Sequence, residues 1–363
     1  MPKPTKKKQK RTDQTRLDKP VAGIANEKSF MRDLIFLVAL SLGLLFFFKD
    51  AISGMRTLIW DAADAFYPYL FSVSTAYRNM EIPLWNPFFF NGYPLFANIQ
   101  AQTFYPLNFL FFPFTSFTPY VVQLSLILHF LLAGVFMYLL GRNYFENRWA
   151  CALSATVYML SGFMVGHMEH LTIIESMAWF PLVFLLFEKA LAQKNLFFSL
   201  LAGFFFGISI LAGHPQTCHI MYFILFIHAL YRIATQFIKE KTHAALLKSG
   251  LVLLVFSIAG LLISAVQVVP TLELAKASTR AGALPFEFAA RSGQLSLNDL
   301  SILILPNYFG AVTGPYWGGI DISQNLLYTG IVPLFLAGFV LINVKKNYDI
   351  IYFFLMMIFS LLL

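Results

Sequence analysis

Long apolar runs alternate with short polar breaks along most of this chain. The pattern predicts membrane-spanning helices near residues 34–54, 119–141, 149–166, 172–188, 197–213, 218–234, 249–270 and 328–344, with a ninth run starting near 348. Each approaches the roughly 20 apolar residues that carry a helix across a bilayer. The ninth has 16 residues before the chain stops, fewer than the roughly 17–25 of a span, which reads as a fragment of a longer protein. Two stretches interrupt the rhythm at length, 50–118 and 271–327. Loops of that size are uncommon unless they serve a function or hold structure of their own.

The first of these loops carries its own periodicity. After "IWDAAD", Phe66, Leu70, Val73, Tyr77 and Met80 recur at helical spacing with Ser72, Thr75, Arg78 and Asn79 between them, which predicts an amphipathic helix over 64–80 lying in the membrane interface. Pro68 falls in its first turn, where proline is tolerated. The next segment, "IPLWNPFFFNGYPLFANIQAQTFYPLNFLFF", is too apolar for a free loop and too broken by proline for a span. It is expected to fold back against the bundle at headgroup depth, where aromatic residues are favoured.

Composition agrees with this reading. Of 363 residues, 58% are hydrophobic and only 12% charged, against about 25% charged in soluble domains. The net charge of +8 is unevenly placed, with ten of the 26 Lys and Arg residues among the first 32 positions. Residues 1–32 therefore read as a disordered basic tail resting on anionic lipid rather than on nucleic acid, and 33–363 as the membrane domain. No small-residue cleavage site closes the first apolar run, so it reads as a retained signal anchor. With the tail in the cytoplasm, 20 of the 26 basic residues lie inside and six outside, as the positive-inside rule requires. Both long loops are then outside. Cys151 and Cys218 fall within predicted spans and form neither a disulfide framework nor a metal motif.

Ionisable groups at membrane depth are expensive and are functional candidates by default. They are expected to cluster on the outer side. Asp61 and Asp64 follow the first span; Asp64 is also placed to cap the interfacial helix, and Asp61 is less readily explained that way. His167, Glu169 and His170 share one short connection, with Glu175 just beyond, and His214, Gln216 and His219 flank another. Imidazole with carboxylate, as in His167-x-Glu169, suits a transition-metal ion better than calcium, while the alternative is a wet interfacial turn. His214 equally serves a helix end. Glu273, Lys276, Arg280, Glu287 and Arg291 lie in the last loop, where arginine is suited to clamp a phosphate. Gln123, His129 and His228 read as hydrogen-bonding groups between helices.

Four blocks carry a family resemblance: "PLWNPFFFNGYPLFANIQAQTFYPLNFL" (83–110), "AGHPQT" (212–217), "VVPTLELAKASTRAGAL" (268–284) and "LSLNDLSILILPNYFG" (295–310). In their order and spacing the chain resembles the YfhO family of bacterial membrane proteins, in the class of glycosyltransferases with the C-type fold, over roughly residues 34–363. The apolar runs give an all-α bundle of eight or nine transmembrane helices, and the resemblance implies the C-type fold for it, with amphipathic juxtamembrane helices in the first external loop. It implies transfer of a sugar from a polyprenyl-phosphate donor to a cell-envelope acceptor outside the membrane. Asp61 and Asp64 would then be the catalytic carboxylates, with Asp61 the base. Arg280, Arg291, Lys276, His214, Gln216 and Glu273 would serve the substrates, and His167 with Glu169 a divalent metal. The first pair reads Asp61-Ala-Ala-Asp64 rather than D-x-D. A flippase or transporter of lipid-linked sugars, or an envelope-assembly scaffold, is the competing expectation.

Overall fold

The computed structural model describes residues 27–279, 281–282, 285–287, 295–310, 314–319, 322, 326–343 and 348–362. Most of the basic tail, together with Arg280 and Arg291, lies outside them. Among the described residues the regular structure is helical, apart from one isolated bridge between Asn86 and Tyr93.

The first apolar run forms α1 (Glu27–Phe47), followed by one turn, α2 (Lys49–Ile52), and α3 (Tyr67–Arg78). Then come α4 (Pro119–Tyr144), α5 (Arg148–Met159), α6 (Gly162–Gly166), α7 (Leu171–Ala178), α8 (Phe180–Gln193), α9 (Leu196–Leu211), α10 (Pro215–Glu240) and α11 (His243–Lys276). Two apolar helices close the described chain, α12 (Ile331–Asn343) and α13 (Tyr348–Leu362). Six segments are long and apolar enough to cross a membrane: Ser29–Phe47, Pro119–Tyr144, Arg148–Gly166, Leu171–Gln193, Pro215–Glu240 and Leu246–Lys276. Leu196–Leu211, Ile331–Ile342 and Tyr348–Ser360 are shorter apolar helices. These are the helices of a multi-pass membrane protein.

Local chemistry sets the helix boundaries. The Thr118 hydroxyl accepts from the Val121 N–H ahead of α4, Asn147 caps α5, Ser161 caps α6 and Asn195 caps α9, each satisfying an otherwise orphaned donor. The third predicted span is interrupted at Leu160–Ser161. The fourth breaks at Trp179, with Pro181 in the first turn of α8, where its missing N–H costs nothing.

The tightest helix pair is α9 with α11, brought together by a Gly-x-x-x-Gly stripe. A Cβ on Gly203 would stand 2.5 Å from the Phe256 carbonyl oxygen, and one on Gly207 would stand 2.6 Å from the Ile263 Cβ. Small residues at this spacing let backbones approach where lipid supplies no hydrophobic drive.

The C-terminus of α1 defines one end of the bundle, called here the loop end, and its N-terminus the tail end. Segment 48–118 covers the loop end. Residues 62–66 form a π-helical turn running directly into α3. Phe66, Leu70 and Val73 are buried as the periodicity predicts, but Met80 takes a left-handed backbone conformation beyond the helix and is almost fully exposed. Asp64 is not the helix cap. Asp61 holds the N-cap position without a side-chain cap bond, and Asp64 sits within the first turn, because the π turn starts three residues earlier than an α-helix begun at Asp64 would.

Segment 95–110 folds against the bundle in three short 3₁₀ turns. It is fastened from several sides: the Gln267 amide donates to the Phe96 carbonyl at 2.9 Å, the Thr271 hydroxyl to the Ala97 carbonyl at 2.9 Å, and the Tyr77 hydroxyl to the Thr103 carbonyl at 3.0 Å. These bonds explain why α11 continues through Pro270 to Lys276 instead of ending at 270.

The tail end holds buried charge that the sequence expectation placed only at the other side. Asp33 on α1 meets Arg148 at 2.8 Å, Arg142 at 3.1 Å and the Tyr138 hydroxyl at 2.8 Å. Glu188 on α8 meets His228 at 2.7 Å and Arg232 at 3.0 Å, both on α10. Arg232 is therefore a buried helix residue and not part of a cytoplasmic loop, since its partner Glu188 draws it into the bundle.

Candidate functional site

Three separate turns converge at the loop end. The first is the start of the π turn, where Trp60 adopts a left-handed conformation and leaves the Asp61 carboxylate 61% exposed. The second is the turn between α6 and α7, carrying His167, Glu169 and His170. The third is the α9–α10 turn, carrying His214.

His170 links the first two turns. Its Nε2 lies 3.7 Å from Asp61 Oδ2 and its Nδ1 lies 3.8 Å from Glu169 Oε1. Both distances exceed a hydrogen bond, so the attraction is electrostatic and grows when the imidazole is protonated. His167 is buried, its Nδ1–H donates to the Phe163 carbonyl at 2.8 Å, and its ring centre lies 5.6 Å from that of His170.

His214 caps α10. Its Nδ1 accepts from the Thr217 N–H at 3.2 Å and lies 2.6 Å from the Thr217 hydroxyl, so the proton of the neutral ring sits on Nε2. Burial, with smaller contributions from His170 and His167, lowers its pKa from the ordinary 6.5 to about 4. The folded protein then binds this proton less readily than the unfolded chain. Stability is accordingly expected to fall as pH drops from about 6.5 to about 4, and to be insensitive to this group above that window. His214→Asn retains an acceptor for the cap and cannot titrate, so thermal unfolding against pH should flatten in this window. An unchanged slope would assign the effect elsewhere.

Beneath the turns lies a buried polar network that joins Glu175 and His129, both candidates from the sequence, to Gln102, Asn108, Tyr105 and Trp179, which the sequence did not single out. Gln102, in a left-handed conformation, donates through Nε2 to the Glu175 carboxylate and, at 2.7 Å, to the Ala212 carbonyl, while its Oε1 accepts from Asn108 at 3.0 Å. The Ser125 hydroxyl lies 3.4 Å from the other Glu175 oxygen. His129 donates from Nδ1 to the Ser125 carbonyl at 2.7 Å and accepts at Nε2 from the Tyr105 hydroxyl at 2.6 Å, and Tyr105 accepts from the Trp179 indole at 2.9 Å. Burial, then the nearby Glu175, pushes the Tyr105 phenol well above its ordinary range, so it remains a donor. Glu175 thus points into the bundle and not toward the surface cluster. The density of Asn, Gln and Thr within the aromatic segment 98–108 was the available signal.

Gly213 permits the third turn to pack on this network. Its φ is +100°, and a Cβ there would meet the Ile99 carbonyl oxygen at 2.8 Å. Gly213→Ala combines a strained conformation with that clash and should cost about 1–3 kcal/mol, read as a lower unfolding midpoint in detergent.

Other sequence candidates stand apart. Asp64, Gln216, His219 and Glu287 are exposed. Glu273 and Lys276 are exposed near the end of α11, and no hydrogen bond or ion pair described here joins them to Asp61 or the histidines. Gln123 and His228 bond as expected, to the Ala51 carbonyl at 2.6 Å and to Glu188. Both cysteines are buried and unpaired. Among the described residues no group of three or more His, Cys, Asp or Glu side chains is placed to hold a metal ion. Comparisons with protein-family models, curated proteins and solved structures yield no match for this chain.

Proposed function

We propose that the chain is a membrane glycosyltransferase of the C-type class and a member of the YfhO family. In this reading it moves a sugar from a polyprenyl-phosphate donor to a cell-envelope acceptor at the loop end. The observation that carries the proposal is the exposed Asp61 carboxylate, set where three connecting turns meet and flanked by His170 at 3.7 Å. Counting the three shorter apolar helices with the six long segments supports a bundle of eight or nine crossings. The tail end then faces the cytoplasm.

The donor already carries a good leaving group. Asp61 accepts the proton of the acceptor hydroxyl as its oxygen attacks the anomeric carbon, and the carbon–oxygen bond to the lipid phosphate breaks. Attack from the face opposite the phosphate inverts the anomeric centre. His170, 3.7 Å from Asp61, holds the carboxylate toward the 167–170 turn, and the His214 Nε2–H is a donor on the adjoining turn. No step here runs through a metal.

Mass spectrometry of envelope polymers and lipids from cells with and without the protein tests the reading. Loss of one sugar decoration names donor and acceptor together, and an identical glycan profile removes the proposal. The competing reading, a flippase for lipid-linked sugars, draws on the buried Glu188–His228–Arg232 cluster, because charge inside spans often marks a transport path. Movement of the lipid-linked sugar across liposomes without a glycosidic product would favour it.

A further inference from the structure

The bundle holds a second site candidate far from Asp61. A cavity of about 490 Å³ lies between α4, α5, α8 and α13, within the size range of small-molecule sites. Met137, Leu140, Phe180, Phe184 and Phe353 make most of its wall apolar, while Tyr144 and Asp349, whose carboxylate accepts from the Tyr231 hydroxyl at 2.8 Å, stand at its tail end. The cavity is elongated. Tyr144 is the last residue of α4, whereas the lining residue Tyr158 is about 15 Å along α5 from the tail end and Phe180 about 20 Å along α8, at a rise of 1.5 Å per residue. That depth matches one leaflet of a hydrocarbon core about 30 Å thick.

A polar observation marks the tail end. The Tyr144 hydroxyl is buried and has no hydrogen-bond partner among the described residues, although buried polar groups are nearly always paired. A ligand with a hydrocarbon chain and an acceptor oxygen where the chain begins would satisfy both the apolar wall and this donor. The helices that enclose the cavity are apolar, so hydrocarbon is the chemistry that suits it. A polyprenyl chain of many isoprene units is several times longer than the cavity, whereas an acyl chain is of leaflet length.

We propose that this cavity binds one acyl chain of an ester-linked glycerolipid from the tail-end leaflet, with the Tyr144 hydroxyl donating to the ester carbonyl. The site is independent of the sugar-transfer reading and of Asp61. The test reconstitutes the full chain in vesicles of phosphatidylcholine containing a fraction with a diazirine on one acyl chain, followed by irradiation and peptide mapping. Labelling at Met137, Leu140, Phe184 and Phe353 is expected to exceed that at the lipid-facing residues Phe204 and Leu261 by about fivefold or more. Leu140→Trp, which fills the cavity, should remove that excess, and Met137→Phe provides a milder filling variant if the first does not fold. Tyr144→Phe should reduce the excess about 2- to 10-fold, the worth of one hydrogen bond. Equal labelling of cavity and surface residues, or an excess that survives both filling variants, overturns the proposal. So does displacement of the acyl probe by a polyprenyl phosphate at equal concentration.

Discussion

Asp61→Asn is expected to lower sugar transfer by about 10²- to 10⁴-fold, the usual contribution of a positioned general base, while expression and membrane insertion stay normal. The substitution keeps the size of the side chain and removes only its basicity. Because Asp61 is 61% exposed and makes no cap bond, the fold does not depend on its charge. The contrast with Asp64 sharpens the result. Asp64 lies in the π turn with its carboxylate in solvent, so Asp64→Asn should change the rate by no more than about threefold, within the small energies of exposed side chains near a helix start. Turnover of a defined polyprenyl-phosphate sugar by the reconstituted variants measures both. A normal rate in Asp61→Asn would take this carboxylate out of the mechanism. His170→Gln tests a positioning role, since losing the contact at 3.7 Å should lower the rate by less than Asp61→Asn does.

Breaking the buried pair at the tail end should produce the largest stability change. Glu188 is 2% and Arg232 5% exposed, and removing Arg232 leaves the buried carboxylate with His228 but without its guanidinium, at a cost of about 3–5 kcal/mol. Arg232→Met is therefore expected to unfold the bundle at a markedly lower denaturant concentration. Glu188→Leu combined with Arg232→Met removes both charges and should recover part of that loss, because paired apolar replacements are often neutral while buried His228 loses its acceptor. The difference between the double variant and the sum of the single ones is the coupling energy. Additive single losses would show that the two side chains do not act as a pair. If the double variant also abolishes transport of lipid-linked sugar, the flippase reading gains support.

Much of the framework was legible along the chain. Apolar runs locate the membrane helices because a span is a local property, requiring only about 20 suitable neighbours in sequence. Phe66, Leu70 and Val73 announced a packed face through their spacing, and all three are buried. Boundaries were less legible. The helix that begins at His243 passes through Pro270 because Gln267 and Thr271 bind carbonyls at Phe96 and Ala97, partners about 170 positions earlier. The cap at Asp64 failed for a related reason, since a π turn and an α turn present the same residue types at their starts.

Candidate chemistry divided in the same way. Asp61, His167, Glu169, His170 and His214 were each visible as ionisable residues at predicted span ends, and composition alone singled them out. That they face one another, while Glu175 turns inward to Gln102 and Gln216 turns to solvent, depends on how three turns pack. By itself, the sequence determined the membrane class, the positions of the main spans and the small set of polar residues at their ends. Tertiary structure alone decided which of those residues meet, and that Arg232 belongs to a buried pair with Glu188. Hydrophobic periodicity is written between near neighbours, whereas the meeting of two charges is set by helix packing across distances along the chain that no local pattern records.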